Sequence, residues 1–145
     1  MNAEQLTALD AAAVSWLRTP FCAGSEVKGG GVCCSRLAAA LYDEAGIIPD
    51  CPRIDGEVTH AQSHNTSIML EWFNGPGASL FSEVDADEIQ PGDCVLMRLH
   101  RVAHHIAVIL SGNRAVHVSP SRGVEIIRNL HIYRPRVVAA FRPNG

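Results

Sequence analysis

Cys34 has the sequence surroundings that best suit a reactive thiol. It follows three consecutive glycines, residues 29–31, and opens a run of residues with the apolar spacing of a helix. The unpaired N–H groups and the positive dipole end at a helix start stabilise an anion. A thiolate is the nucleophilic form of cysteine, and such a position lowers its pKa. We therefore expect Cys34 to be a nucleophile with a lowered pKa.

Two histidines in the second half of the chain supply the other groups of a thiol hydrolase. His105 and His117 each lie in a short apolar run typical of a β-strand, and turn residues 111–113 separate the two runs. A three-residue loop pairs Leu110 with Arg114 and puts both histidines on one sheet face, whereas a two-residue loop puts them on opposite faces. We expect the nucleophile's helix to cross that face, with His105 as the base and His117 as the group that orients it.

Helical patterns come first in the chain, and short strand patterns follow. Apolar spacing predicts helices over residues 4–17, 34–45 and 65–73, with a loop over residues 49–64. Strand patterns cover residues 94–97, 105–110, 114–119, 124–127 and 137–142. This order predicts an α+β fold with N-terminal helices packed on a C-terminal antiparallel sheet. Because no repeat or linker interrupts the chain, we expect a single domain over residues 1–145.

Composition and charge exclude several classes of function. The chain has 145 residues and a formal net charge of -3, so its charge does not indicate a positively charged surface for binding nucleic acid. It shows no signal peptide and no apolar run of membrane-spanning length, so we expect a cytoplasmic protein as synthesised, without membrane insertion. The five cysteines fit no disulfide framework, which indicates a reducing compartment.

Taken together, these motifs resemble the NlpC/P60 family of papain-like cysteine peptidases, which cut cell-wall peptides. The resemblance is carried in chain order by residues 16–21, 31–36, 91–93 and 105–109, and by His117 ahead of the pair 123–124. The short form of the chain and the pair His104 and His105 are most similar to the branch found with phage tail genes. A papain-like fold is therefore expected.

The resemblance also implies roles for individual residues. Cys34 is the implied nucleophile, His105 the base and His117 the orienting residue. A peptidoglycan stem peptide is the implied substrate, phage tail proteins are implied partners, the virion tail is an implied location, and no cofactor or metal is needed. The implied substrate-binding residues are Cys33, Phe21, Ser35 and Arg36.

Three of those positions depart from the family pattern. Cys33 stands where the family has an Asp thought to recognise the free amine of a stem peptide, and Phe21 stands where a Tyr places its hydroxyl in the site. Arg36 replaces a small residue beside the nucleophile. Arg36 either recruits a substrate carboxylate or is a solvated helix residue.

Two other functions are compatible with these residues. One is a tail structural protein that kept the fold without activity, and the other is a thiol acyltransferase or thioesterase, which a wide apolar groove would favour. The pairs His60 with His64 and His100 with His104 have the i, i+4 spacing of helical metal ligands. The first pair lacks the Glu of a zincin motif, so we predict no metal site.

Overall fold

Six antiparallel strands form one sheet within residues 1–54, 68–99 and 102–144, the part of the chain that the computed structural model describes. The strands are β3 (Phe81–Val84), β4 (Cys94–Leu99), β5 (Val102–Leu110), β6 (Arg114–Ser119), β7 (Gly123–Ile127) and β8 (Val137–Pro143). Their order across the sheet is β3-β8-β4-β5-β6-β7. Of these strands, the sequence pattern missed β3, and the other five lie within a few residues of their predicted bounds.

The helices precede most of the sheet, as the α+β prediction requires. They are α1 (Ala3–Trp16), α2 (Cys34–Glu44) and α3 (Ile68–Asn74), and a small hairpin of β1 (Glu26–Val27) and β2 (Gly31–Val32) leads into α2. The side chains of Asn2 and Gln5 cap the start of α1 reciprocally. The α+β fold is therefore confirmed. No helix in the described ranges is long and apolar enough to cross a membrane.

The sheet separates two apolar clusters. The buried side of α2 joins one cluster with the even-numbered strand residues Ile106, Val108 and Val116. The odd-numbered residues Ala107 and Ile109 belong to a second cluster on the other face. Strand side chains alternate between faces, so each of these strands contributes to both clusters.

The prediction that α2 crosses the face carrying the histidines is wrong. His105 lies directly opposite Met97 on β4, and Met97 belongs to the second cluster, away from the helices. The physical reason is the size of the apolar side chains. Most large aliphatic residues of β5 and β6, Ile109 excepted, occupy the even positions, so burying that face against α1 and α2 removes the most apolar surface from water.

The turn before β4 ties α2 to the sheet. Tyr42 on α2 donates its hydroxyl proton to the carbonyl oxygen of Gly92 over 2.8 Å. Asp93, which is 1% exposed, accepts two hydrogen bonds from Arg142 of β8 and one from the backbone N–H of Gln90. Because a buried carboxylate needs such partners, the turn is held firmly and fixes the helix over β4 and β5.

Gly123 allows the segment after α1 to pair with β7. The N–H of Arg18 donates to the carbonyl of Val124, and the N–H of Val124 donates to the carbonyl of Thr19. Gly123 has a φ of +76°, and a Cβ there would lie 2.6 Å from the Thr19 carbonyl oxygen. Gly112, in the β5–β6 turn, has a similar φ of +70° but faces open space apart from the side chain of Arg114.

We predict that Gly123→Ala lowers the free energy of unfolding by about 1–3 kcal/mol more than Gly112→Ala. Both substitutions put a Cβ on a left-handed backbone, so the difference between them measures the contact with Thr19. Urea denaturation of the two variants and the parent gives the values. Equal losses in the two variants would mean that the Thr19 segment does not hold β7.

Candidate active site

The thiol of Cys34 is buried at the first residue of α2. Cys33 is the N-cap residue, with an extended backbone and no side-chain hydrogen bond to the helix, and Cys34 is only 4% exposed. The sulfur accepts hydrogen bonds from the backbone N–H groups of Cys34 itself, Ser35 and Ile106. Two of these donors belong to the helix start, and the third comes from the sheet.

The N–H of Ile106 is available to the thiol because β5 and β6 are paired along only part of their length. The two strands pair at Leu110–Arg114, Ile109–Ala115 and Val108–Val116, and the described pairing ends there. Ile109 exchanges its hydrogen bonds with the turn before β4, so by alternation the N–H of Ile106 points toward β6. The Cys34 sulfur accepts the bond that a β6 carbonyl would take if the ladder continued. The thiol therefore meets β5 one residue from His105.

The expectation of a lowered pKa for Cys34 is wrong. Burial raises the pKa of this thiol to about 12, against the lowering effect of the backbone donors. An ionised sulfur would lose its hydration in this position, and that cost exceeds the stabilisation from three N–H groups. The resting thiol is therefore protonated at neutral pH, and it needs a base to become a nucleophile.

His105 and His117 form a hydrogen-bonded pair. Their Nε2 and Nδ1 atoms, respectively, are 2.7 Å apart, and the ring planes are nearly perpendicular at 88°. The three-residue loop and the pairing of Leu110 with Arg114 are as the sequence predicts, which confirms the register behind this contact. Both side chains are buried, so their mutual hydrogen bond satisfies groups that water cannot reach.

Glu125 is a member of this cluster that the sequence reasoning missed. It lies directly opposite His117 on β7, and its Oε1 atom is 2.9 Å from the His117 Nε2 atom. Arg122 clamps the same carboxylate through its Nε and Nη2 atoms at 2.8 and 2.9 Å. The register argument, extended to the next hairpin, would have found Glu125, since Ser119 pairs with Gly123.

The surroundings lower the pKa of both His117 and Glu125. Burial lowers the pKa of His117, although the hydrogen bond to Glu125 opposes the shift. The hydrogen bonds from Arg122, and then from His117, lower the pKa of Glu125. At neutral pH the contact therefore joins a neutral imidazole to an ionised carboxylate.

The four residues that the resemblance assigned to substrate binding lie around the start of α2. The sulfur of Cys33 is 3.7 Å from the hydroxyl oxygen of Ser35, and both residues are buried. Phe21 forms an isolated parallel β-bridge with Val32, and its half-buried side chain packs against the apolar cluster that contains α2. Arg36 lies 4.0 Å from Glu26, a carboxylate that Arg53 already binds through two nitrogens. Their substrate-binding roles stay predictions.

Some of the other predicted features fall outside the described residues. These are His60, His64 and His100, together with most of the loop over residues 49–64 and the first residues of the helix predicted over 65–73. His104 lies within β5, and its side chain is also outside the described part of the chain.

We predict that iodoacetamide at pH 7 modifies Cys22 before Cys34, which reverses the order that a lowered Cys34 pKa implies. Cys22 is exposed, whereas the Cys34 thiol is buried and protonated. In a Cys22→Ser variant, modification of Cys34 should accelerate about tenfold per pH unit between pH 7 and 9, as the thiolate fraction grows. Peptide mapping by mass spectrometry measures both rates. Rapid modification of Cys34 at pH 7, independent of pH, would contradict the raised pKa.

Solved structures with the same architecture cover nearly the whole chain. An NLP/P60 family protein similar to lipoprotein, from Staphylococcus aureus Mu50, aligns at 22% identity and a TM-score of 0.63 over 98% of this chain. The NlpC/p60 domain of the peptidoglycan hydrolase SagA aligns at 18% identity and a TM-score of 0.62 over 93% of this chain. The peptidoglycan hydrolase RipB from Mycobacterium tuberculosis aligns at 16% identity and a TM-score of 0.51 over 84% of this chain.

The chain corresponds to different shares of these proteins. It spans 42% of the staphylococcal chain, 96% of the SagA domain and 57% of RipB. At these identities the likeness establishes a shared fold. A comparison with curated proteins gave no match. The model of the NlpC/P60 family matches residues 18–142, which include α2 and every strand from β3 to β7, and the chain therefore belongs to the NlpC/P60 family.

Proposed function

We propose that this protein is a cysteine peptidase that hydrolyses peptide or amide bonds of cell-wall peptidoglycan. One observation carries the proposal. The Cys34 thiol accepts a hydrogen bond from the N–H of Ile106, which is the residue next to His105 on β5, and His105 is hydrogen-bonded to His117 on β6. A thiol at a helix start, an imidazole base and a third group that orients the base are the parts of a nucleophilic hydrolase.

In the proposed reaction, the base acts during the attack because the resting thiol is protonated. His105 takes the thiol proton as the Cys34 sulfur bonds to the substrate carbonyl carbon. Backbone N–H groups at the start of α2 stabilise the negative oxygen that forms. His105 then gives its proton to the leaving amine as the C–N bond breaks. A water molecule, deprotonated by His105, finally hydrolyses the acyl-enzyme and restores the thiol.

The substrate class rests on family membership and on two similar structures. SagA and RipB are both described as peptidoglycan hydrolases, and the SagA domain corresponds to nearly this entire chain. A stem peptide of peptidoglycan is therefore the first substrate to test. Association with phage tail proteins and a place in the virion tail are further parts of the proposal, supported by the resemblance of the His104 and His105 pair to that branch.

We predict that the wild-type protein releases soluble peptide fragments from purified peptidoglycan and that Cys34→Ala releases none. Loss of the nucleophile removes the covalent route, so the rate should fall by at least about 10³-fold. Chromatography and mass spectrometry of the digest identify the bond cut. Cys22→Ala is the matched control, since it removes the exposed thiol and should keep full activity.

Two results would contradict this function. Fragment release by Cys34→Ala at the wild-type rate would exclude the assigned nucleophile. No release by the wild type from peptidoglycans of differing stem peptides, with the fold intact by circular dichroism, would favour the structural protein without activity.

We further predict that Cys33 and Phe21 weaken activity on stem peptides with a free N-terminal amine. An Asp at position 33 would pair with a substrate ammonium, and a Tyr at position 21 would donate a hydrogen bond that a phenyl ring cannot donate. An unpaired partner in a buried site costs roughly 1–3 kcal/mol, or about one to two decades in affinity or rate.

The test compares kcat/KM for a free-amine peptide and its N-acylated twin. The double variant Cys33→Asp with Phe21→Tyr should prefer the free amine by about 10- to 100-fold more than the wild type does. Equal preference in the two proteins would mean that neither position contacts the substrate amine and that Cys33 only fills space at the helix start.

A further inference from the structure

A chain of hydrogen bonds runs from the surface to His105. Arg122 binds the Glu125 carboxylate, Glu125 contacts the Nε2 atom of His117, and the Nδ1 atom of His117 contacts the Nε2 atom of His105. We propose that Glu125 is a positioning residue that fixes the ring tautomers of both histidines, so that His105 presents its Nδ1 lone pair as the base. This inference rests on the proposed function and extends it beyond the Cys34, His105 and His117 set.

Proton positions along the chain follow from the donor and acceptor capacity of each group. An ionised carboxylate only accepts hydrogen bonds, so the Nε2 atom of a neutral His117 must carry the proton in the 2.9 Å contact. The Nδ1 atom of His117 is then an acceptor. In the 2.7 Å contact between the rings, the Nε2 atom of His105 must therefore donate. A neutral His105 has one ring proton, which leaves Nδ1 as its basic nitrogen.

Arg122 keeps Glu125 in the acceptor state. Its guanidinium binds both carboxylate oxygens, and these bonds are the largest cause of the lowered Glu125 pKa. Burial lowers the His117 pKa and keeps that ring neutral. Arg122, Glu125 and His117 thus each have the protonation state that the tautomer assignment requires at neutral pH.

The register of β6 and β7 determines the contact between His117 and Glu125. Glu125 is the direct cross-strand partner of His117, and the two strands pair continuously from Ala115–Ile127 to Ser119–Gly123. In hydrolases with a triad, an acceptor fixes the tautomer of the base in the same way. Here the orienting group is itself a histidine with two possible tautomers, so a second acceptor is needed to fix it.

Nitrogen-15 NMR of the histidine rings tests the assignment without any substrate. In the wild type at pH 7.5, we expect His105 and His117 to carry their protons on Nε2, with both Nδ1 atoms unprotonated. In Glu125→Gln, the amide can donate as well as accept, and His117 should shift partly or fully to the form protonated on Nδ1. A wild-type His117 protonated on Nδ1 would overturn the proposal, even if the variant failed to fold.

Kinetics separate a positioning role from a packing role. Glu125→Gln should lower kcat by about 10- to 100-fold, part of the roughly 10²–10⁴-fold that a positioned base contributes, with KM nearly unchanged. Glu83→Gln is the matched control, because Glu83 is an exposed glutamate on β3, and it should leave kcat unchanged. Unchanged ring protonation together with unchanged kcat in Glu125→Gln would also overturn the proposal.

The two proposals fail in distinguishable ways. A wild type with the expected ring protonation that hydrolyses no peptidoglycan would contradict the proposed function and leave the tautomer assignment intact. Hydrolysis by a wild type whose His117 is protonated on Nδ1 would support the function and overturn the role of Glu125.

Discussion

The hydrogen bond from the Ile106 N–H to the Cys34 sulfur joins the helical layer to the sheet at the place where chemistry is proposed. It exists because the described pairing of β5 with β6 begins only at Val108, which leaves the N–H of Ile106, two residues earlier, available to α2. The helix lies on one face of the sheet and the histidines lie on the other. A sheet with an unbroken ladder would separate the thiol from the imidazoles. The opening between the strands is therefore the constraint on which the site depends.

Burial of the thiol and the tautomers of the histidines are linked requirements. A thiolate stabilised in advance would attack without help, but burial raises the Cys34 pKa to about 12. In the proposed reaction the proton leaves during the attack, and it can only go to a ring nitrogen that is unprotonated and faces the sulfur. A buried thiol therefore requires a base with a defined tautomer. In the proposed arrangement, Glu125 and Arg122 together determine which nitrogen of each histidine ring is basic.

The sequence was sufficient for features that local spacing determines, and insufficient for features that depend on packing. The turn residues 111–113 fixed the loop length, and the loop length fixed the contact between His105 and His117. The face covered by α2 depends on which side of each strand buries more aliphatic surface, a sum over several strands that no single motif displays. The raised Cys34 pKa has the same origin, because desolvation comes from the surrounding core and not from the helix start.

The two faces of the sheet carry different side chains, and this difference allows a polar site to be buried in a small protein. The even positions of β5 and β6 supply the helix-facing core, which leaves the opposite face for smaller and polar side chains such as His105, Ala107 and His117. The described contacts give partners to the Nε2 atom of His105 and to both ring nitrogens of His117, and the chain of contacts ends at the exposed guanidinium of Arg122, where water is available. Removing one member leaves the next with an unmet hydrogen bond in a buried position, which costs about 1–3 kcal/mol. The hydrogen bonds that would orient the proposed base are therefore the same bonds that satisfy these buried polar groups.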